Sequence, residues 1–160
     1  MRILAIDPGY ERLGIAILEK TQSTKETIVY SDCFHTSIKE SHPKRLNLIA
    51  QEVVRIIEEY KPTALAIETL FFSANKKTAL LVAEARGALL ATCVQSGLQV
   101  FEYSPAHIKI AVTGYGKSDK KQVVFMVKKL TRFEKDALDD EYDAIAIGLT
   151  LFATERFLFL

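Results

Sequence analysis

The chain has 160 residues, 49% of them apolar and 26% charged, which suits one compact soluble domain with its own core and argues against disorder. A formal net charge of +1 argues against a nucleic-acid partner unless the charges are segregated along the chain. Cys33 and Cys93 lack the spacing of a zinc site or the density of a disulfide framework, so both read as reduced core residues.

Residues 2–7, 13–19 and 27–34 are rich in Ile, Leu and Val and are joined by short polar or turn-like segments, which predicts an antiparallel three-stranded meander. Between the first two lies Asp7-Pro8-Gly9, the composition of a tight turn: Asp7 caps it, Pro8 presets φ, and Gly9 is expected to take φ > 0. After Ser41, a candidate N-cap, Leu46, Ile49, Val53, Ile56 and Ile57 recur at helical spacing and predict a helix to about Tyr60, stopped by Pro62. "TALAIE" (63–68) is a short apolar strand that ends in a carboxylate.

The next helix, near Asn75 to Ser96, reads "TALLVAEARGALLATCVQ", an apolar run interrupted only by Glu84 and Arg86, and is closed by Gly97. A helix apolar nearly all round needs cover on more than one side, so it lies deep in the core or meets another subunit. "LQVFEY" supplies a fifth strand. A helix from about Pro105, the loop "TGYGKSDKK", a basic helix from about Lys120 to Thr131 and a last helix from about Asp140 to Arg156 follow. Antiparallel strands first and helical crossovers later predict an α/β fold, a five-stranded mixed sheet with helices on both faces, in one domain over residues 1–160. The N-terminal apolar run is too short for a signal peptide and no run of about twenty uncharged apolar residues offers a membrane span, which implies a cytoplasmic protein without a membrane partner. The terminal "RFLFL" is expected to pack against the body or a partner.

The charges are segregated. From Ser104 to Lys135 eight lysines or arginines face only Asp119 and Glu134, and the next stretch holds Asp136, Asp139, Asp140, Glu141 and Asp143. Asp7 and Glu68 each end an apolar strand, and neighbouring strands would bring them to one sheet edge. Asp140 and Asp143, three apart at a helix start, share a face, although a cap and a first-turn acid would also explain them. Glu68 has no turn or cap to explain it. Like charges a few ångströms apart oppose one another by about 1 kcal/mol in water and about 4 at an effective dielectric of 20, so convergence calls for cations. Hard carboxylate oxygens without a His or Cys cluster select Mg²⁺ or Mn²⁺, and such metals suit phosphodiester hydrolysis.

Four segments carry a likeness in order over nearly the whole chain: "IDPGYERLGIAI", "AIETLFFSANKKTALLVAEARGALL", "VFEYSPAHIKIAVTGYGKSDKKQV" and "DDEYDAIAIGLT". Together they resemble the bacterial RuvC Holliday-junction resolvases. The resemblance implies a ribonuclease H-like fold, a homodimer, and a site that binds Mg²⁺, or Mn²⁺ as a substitute, two ions per site, through Asp7, Glu68, Asp140 and Asp143. It also implies cleavage of two symmetry-related strands of a four-way DNA junction, leaving 5′-phosphate and 3′-hydroxyl ends, in recombination and repair. Lys109 and Lys120 match basic positions associated with backbone contact and catalysis, and Phe71 matches an aromatic placed against bases near the crossover. Phe72, Asn75, Lys76, Lys77, Lys117 and Lys121 are further candidates for DNA contact. A branch-migration complex of the RuvA and RuvB type is the implied partner.

Three other readings compete. "GYGKS" (114–118) resembles the end of an ATP-binding P-loop, but Ala111 stands where that motif requires its first glycine and no strand precedes it. An actin-like or sugar-kinase-like phosphate-binding domain shares the Asp-x-Gly hairpin yet needs two such domains. A non-catalytic junction-binding protein would not need all four acids.

Overall fold

The structure, a computed structural model, describes residues 1–21, 25–70 and 76–155, the side chains of Lys76 and Lys77 excepted. Strands β1 (Arg2–Asp7), β2 (Arg12–Glu19) and β3 (Thr27–His35) form the expected antiparallel meander. Helix α1 (His42–Tyr60) leads to β4 (Ala64–Glu68), and α2 (Lys76–Gln95) to β5 (Gln99–Tyr103). Helices α3 (Pro105–Thr113), α4 (Lys120–Thr131) and α5 (Asp139–Thr154) follow. The sheet order is β3-β2-β1-β4-β5; β4 lies parallel to β1 and β5 parallel to β4, so the sheet is mixed.

Alternation along the strands gives the sheet two faces of different texture. Leu4, Ile6, Leu13, Ile15, Ile17, Leu65 and Ile67 pack with Ile49, Val53 and Ile56 of α1 and Ala85, Leu89 and Cys93 of α2. Ile3, Ala5, Ala16, Leu18, Ala64 and Ala66 pack on the other side with α3, α4 and α5. That second face is mostly alanine, and α5 answers it with Ala144 and Ala146, so the helix rests close to the sheet.

Several local expectations need correction. Ser41 precedes α1 as its N-cap, yet its side chain makes no capping bond; Pro43 in the first turn supplies a preset φ and lacks the N–H that would need a partner. The helix stops before Pro62 with Lys61 in the left-handed region at φ 51°, its N–H donating to the Ile57 carbonyl at 2.8 Å. Leu138, not Asp140, is the N-cap residue of α5, and Asp139, Asp140 and Glu141 fill its first turn. Gly97 does close α2, at φ 82°.

Helix α2 is buried only along Ala85, Leu89 and Cys93, while Leu80 and Val94 are 61% and 59% exposed. It therefore does not lie deep in the core: a single stripe of it meets α1 and the sheet. Thr78–Gln95 is long and apolar enough to cross a membrane, with mean hydropathy 1.2, but Glu84 and Arg86 interrupt it. Glu84 pairs with His42 and Arg86 with Glu102, charges that hydrocarbon would have to accommodate.

Candidate active site

Strand period carries two acids to one place. Asp7 continues the series Ile3, Ala5, and Glu68 continues Ala64, Ala66, so both occupy the small-residue face that α5 covers. Since β1 and β4 are parallel neighbours with Ile6 opposite Ile67, the two carboxylates emerge at the same sheet edge. Helix α5 brings Asp140 and Asp143 to that edge within its first two turns.

Two glycines permit this approach. Gly14 is the partner of Asp7 on β2, and a Cβ there would stand 2.0 Å from the Asp140 carbonyl oxygen and 3.1 Å from Asp7 Cβ. Gly9 does not adopt the positive φ expected of it. A Cβ on Gly9 would lie 1.8 Å from the Arg12 carbonyl oxygen, so glycine is required there by the close return of the loop to β2.

The loop after Asp7 is clamped from below. The buried Arg45 guanidinium donates to Thr36 Oγ1 at 3.0 Å and to the Tyr10 carbonyl at 3.3 Å, and lies over the Tyr10 ring at 3.8 Å. Tyr10 OH bonds His42 Nδ1 at 2.8 Å. The start of α5 is fixed by Glu141, 4% exposed, which accepts from Ser31 Oγ at 2.9 Å and Lys135 Nζ at 2.7 Å.

The acids repel one another. Burial, and then the charges of Asp143, Glu68 and Asp140, push the Asp7 carboxyl up to about 7, with Lys120 opposing. Glu68 is likewise pushed up to about 7 by burial and then by Asp143, against Lys109. Burial also raises Asp143, although Lys120 Nζ lies 3.1 Å from its Oδ2. Lys120 reaches Asp139 Oδ2 at 3.3 Å as well; partial burial works against its charge, but the two carboxylates hold its ammonium above the ordinary range. Asp140 Oδ2 is buried and accepts no hydrogen bond among the described residues, and Arg12 Nη1, 3.4 Å away, provides charge alone.

Beside these groups opens a cleft of about 250 Å³ with Glu68, Asp143, Lys109 and Lys120 on its walls and Ile108, Val123 and Ile147 behind them. An orphaned carboxylate oxygen and two carboxyls that retain protons to near neutrality fit a divalent cation of the hard, oxygen-seeking class. Among the described residues no three His, Cys, Asp or Glu side chains stand as a ready-made ligand cluster. Lys120 and Arg12 engage Asp143 and Asp140, so a cation held there would exchange those ion pairs for metal contacts.

The other candidates are spread more widely. Lys109 and Lys120 line the cleft. Lys121 lies on the outer side of α4, and Lys117 is exposed in the preceding turn. Phe71, Phe72 and Asn75 fall outside the described residues, as does the terminal "RFLFL"; Lys76 and Lys77 begin α2, but their side chains are not described. Arg12, Gly14 and Asp139 are contributors that the sequence reading passed over. A glycine inside an apolar strand run signals close backbone approach, and the hairpin register then places Arg12 two residues beyond it.

Residues 3–151 match the family model described as "Crossover junction endodeoxyribonuclease RuvC". The chain belongs to the RuvC family. It is 41% identical over 161 residues to the RuvC of Finegoldia magna, covering 100% of this chain and 98% of the relative. It is 44% identical over 158 residues to that of Thermosipho melanesiensis, covering 98% and 100%. The Thermus thermophilus RuvC structure superposes with a TM-score of 0.88 at 28% identity, over 99% of this chain and 98% of the other. A second Thermus thermophilus RuvC structure, in complex with a Holliday junction substrate, gives a TM-score of 0.91 at 28% identity, over 98% and 96%. The ribonuclease H-like α/β fold expected from the sequence is therefore the fold of this RuvC chain.

Proposed function

We propose that this endodeoxyribonuclease resolves four-way DNA junctions, hydrolysing two symmetric strands to ligatable 5′-phosphate and 3′-hydroxyl ends in recombination and repair in the cytoplasm. The observation that carries the reading is the crowding of carboxylates from β1, β4 and α5 at the edge of a cleft walled by Lys109 and Lys120. The relative from Thermus thermophilus described with a Holliday junction substrate agrees with it. The non-catalytic alternative leaves four mutually repelling acids without a task.

Asp7, Glu68, Asp140 and Asp143 would hold Mg²⁺, with Mn²⁺ able to substitute, two ions per site. When bound, the ions orient and acidify a water and offset charge on the scissile phosphate. Asp7 and Glu68, which keep protons to about pH 7, release them on loading. From the cleft wall Lys109, and Lys120 once its ion pairs with Asp139 and Asp143 open, turn toward phosphate oxygens, draw the backbone in and hold it. On the resemblance, Phe71 meets bases near the crossover, and Phe72, Asn75, Lys76, Lys77, Lys117 and Lys121 are further proposed DNA contacts.

The substrate is two-fold symmetric, and a C2 dimer presents two equivalent sites to it. The uncovered stripe of α2, with Leu80, Gly87, Ala91 and Val94 exposed along one side, is the face we assign to the second copy. A branch-migration complex of the RuvA and RuvB type is the proposed partner, with residues 1–160 acting as one nuclease domain.

A synthetic four-way junction tests the site. Wild-type protein should cut it with Mg²⁺ and bind it uncut in EDTA. Asp7→Asn and Glu68→Gln should each lower cutting at least about a hundredfold, the several kcal/mol that metal assistance supplies, while junction binding persists. Undiminished cutting by either variant overturns the assignment.

A further inference from the structure

The cleft does not end at Lys120. Lys120 is also a wall of an open groove of about 510 Å³ shared with Lys121, Val124 and Phe125. Lys121 and Phe125 pass in turn into a groove of about 420 Å³ bounded by Tyr115 and Met126. A continuous track thus runs along α4 from the catalytic edge to the α3–α4 elbow.

Two large rings stand on this track without any core to fill: Phe125 is 61% exposed and Tyr115 59%. Cations surround them. Lys117 and Lys121 are exposed, and Lys129 Nζ lies 5.7 Å from the Phe125 ring centroid. The acids nearby are already engaged: Asp119 caps α4 by accepting the Gln122 N–H at 2.8 Å, and Asp139 pairs with Lys120.

The elbow that presents Tyr115 is locked. Its N–H donates to Thr113 Oγ1 at 3.1 Å, its carbonyl accepts from Ser118 Oγ at 2.8 Å, and those two hydroxyls bond each other at 2.6 Å. Ser118 is 3% exposed, and Gly114 makes the turn at φ 79°. A ring held out on a fixed backbone loses little entropy when it binds.

We propose that Tyr115 and Phe125, flanked by Lys117, Lys121 and Lys129, form an accessory platform that stacks unpaired bases of the DNA strand leaving the cleft. The proposal rests on the junction-nuclease reading. Ring faces and ammonium groups offer stacking and phosphate attraction, and Gln122 and Asp119, the exposed groups on this track that could read a base edge, each accept the other's backbone N–H in the α4 capping box, so binding should tolerate any sequence. Continuity with the cleft and the local basic excess favour a nucleic-acid strand over a protein partner.

The test uses the full-length protein with fluorescein-labelled dT15 and with an intact four-way junction, in EDTA. Tyr115→Ala/Phe125→Ala should weaken dT15 binding at least about tenfold, within the range for losing one or two base–aromatic stacks. The slope of log affinity against log salt should stay unchanged, because no phosphate contact is removed, whereas Lys117→Ala/Lys121→Ala should flatten it. Tyr115→Phe/Phe125→Tyr should keep affinity within about twofold. In wild-type protein, photo-crosslinking to an oligonucleotide bearing 5-iodouracil should place adducts on Tyr115 or Phe125. Equal dT15 affinity of the ringless variant at an unchanged melting temperature, or adducts confined to other residues, would overturn the platform and leave this face to a protein partner. Failure of wild-type protein to bind the junction in EDTA, or to cut it once Mg²⁺ is added, would instead defeat the nuclease reading.

Discussion

The carboxyl of Asp7 keeps its proton in the folded protein over a range where the unfolded chain has lost it. Its folded value near 7 lies above the ordinary 3.8, and Glu68 behaves alike. Between about pH 4 and pH 7 the folded state therefore binds more protons than the unfolded state, and stability falls as pH rises through that window. Metal-free protein should melt lower at pH 8 than at pH 5.5, with a contribution from Asp7 on the order of 2 kcal/mol. Asp7→Asn should flatten that dependence, and Mg²⁺ or Mn²⁺ should restore the wild-type melting temperature at pH 8 more than at pH 5.5. Melting curves in EDTA and in metal check both; identical pH profiles for wild type and Asp7→Asn would mean the carboxyls are not crowded. Glu68 was legible in the sequence because no turn or cap explains a carboxylate that ends an apolar strand, whereas Asp7 also suited the Asp-Pro-Gly turn and was singled out by its place at the same sheet edge. Gly9 was misread because a turn with positive φ and a backbone that comes too close select the same residue, and only the Arg12 carbonyl distinguishes them. Arg12 and Asp139 went unread because their roles depend on which side chain lies across a gap, a fact with no signature along the chain.

At the scale of elements the site is an agreement between a hairpin and a helix. The alanine face of the sheet lets α5 settle, and Gly14 lets its first turn touch β2 beside Asp7. Gly14→Ala places a methyl group 2.0 Å from a backbone oxygen that no rotamer can move. Helix and sheet must separate, at a cost of about 1–3 kcal/mol in stability and with cutting reduced at least about tenfold. Chemical denaturation and junction cleavage measure the two effects, and a variant as stable and active as wild type would show that α5 need not sit so close. Periods of two and of 3.6 residues predicted all ten elements in order. The caps were partly legible: Ser41 is the N-cap residue of α1 as read, although its side chain makes no capping bond, whereas Leu138 and not Asp140 is the N-cap residue of α5. A cap is decided by the torsions of a few residues, which tertiary contacts readily shift by a position or two.

For the whole molecule, the stripe on α2 is the feature the core does not consume. Leu80 and Val94 face outward on a helix whose opposite side is fully packed. On the proposed dimer, Val94→Glu should leave the monomer folded and separate the two copies, so that light scattering reads the mass of one 18.0 kDa chain rather than two. Paired cutting of a junction should then give way to single nicks. A variant that remains dimeric would remove α2 from the interface. Composition made this stripe visible before the fold was known, since the eighteen residues Thr78–Gln95, with Glu84 and Arg86 their only charges, cannot all be turned inward by one sheet and one neighbouring helix.

The four acids lie as far apart along the chain as residues 7 and 143, on the first strand and the last helix. Until the ribosome has added Asp140 and Asp143 and released α5 to fold, the nascent polypeptide carries only Asp7 and Glu68 of the proposed ligands and nothing to press the four together. On the proposed reading, a cutting tool assembled from β1, β4 and α5 stays blunt until that helix has emerged and docked on the sheet.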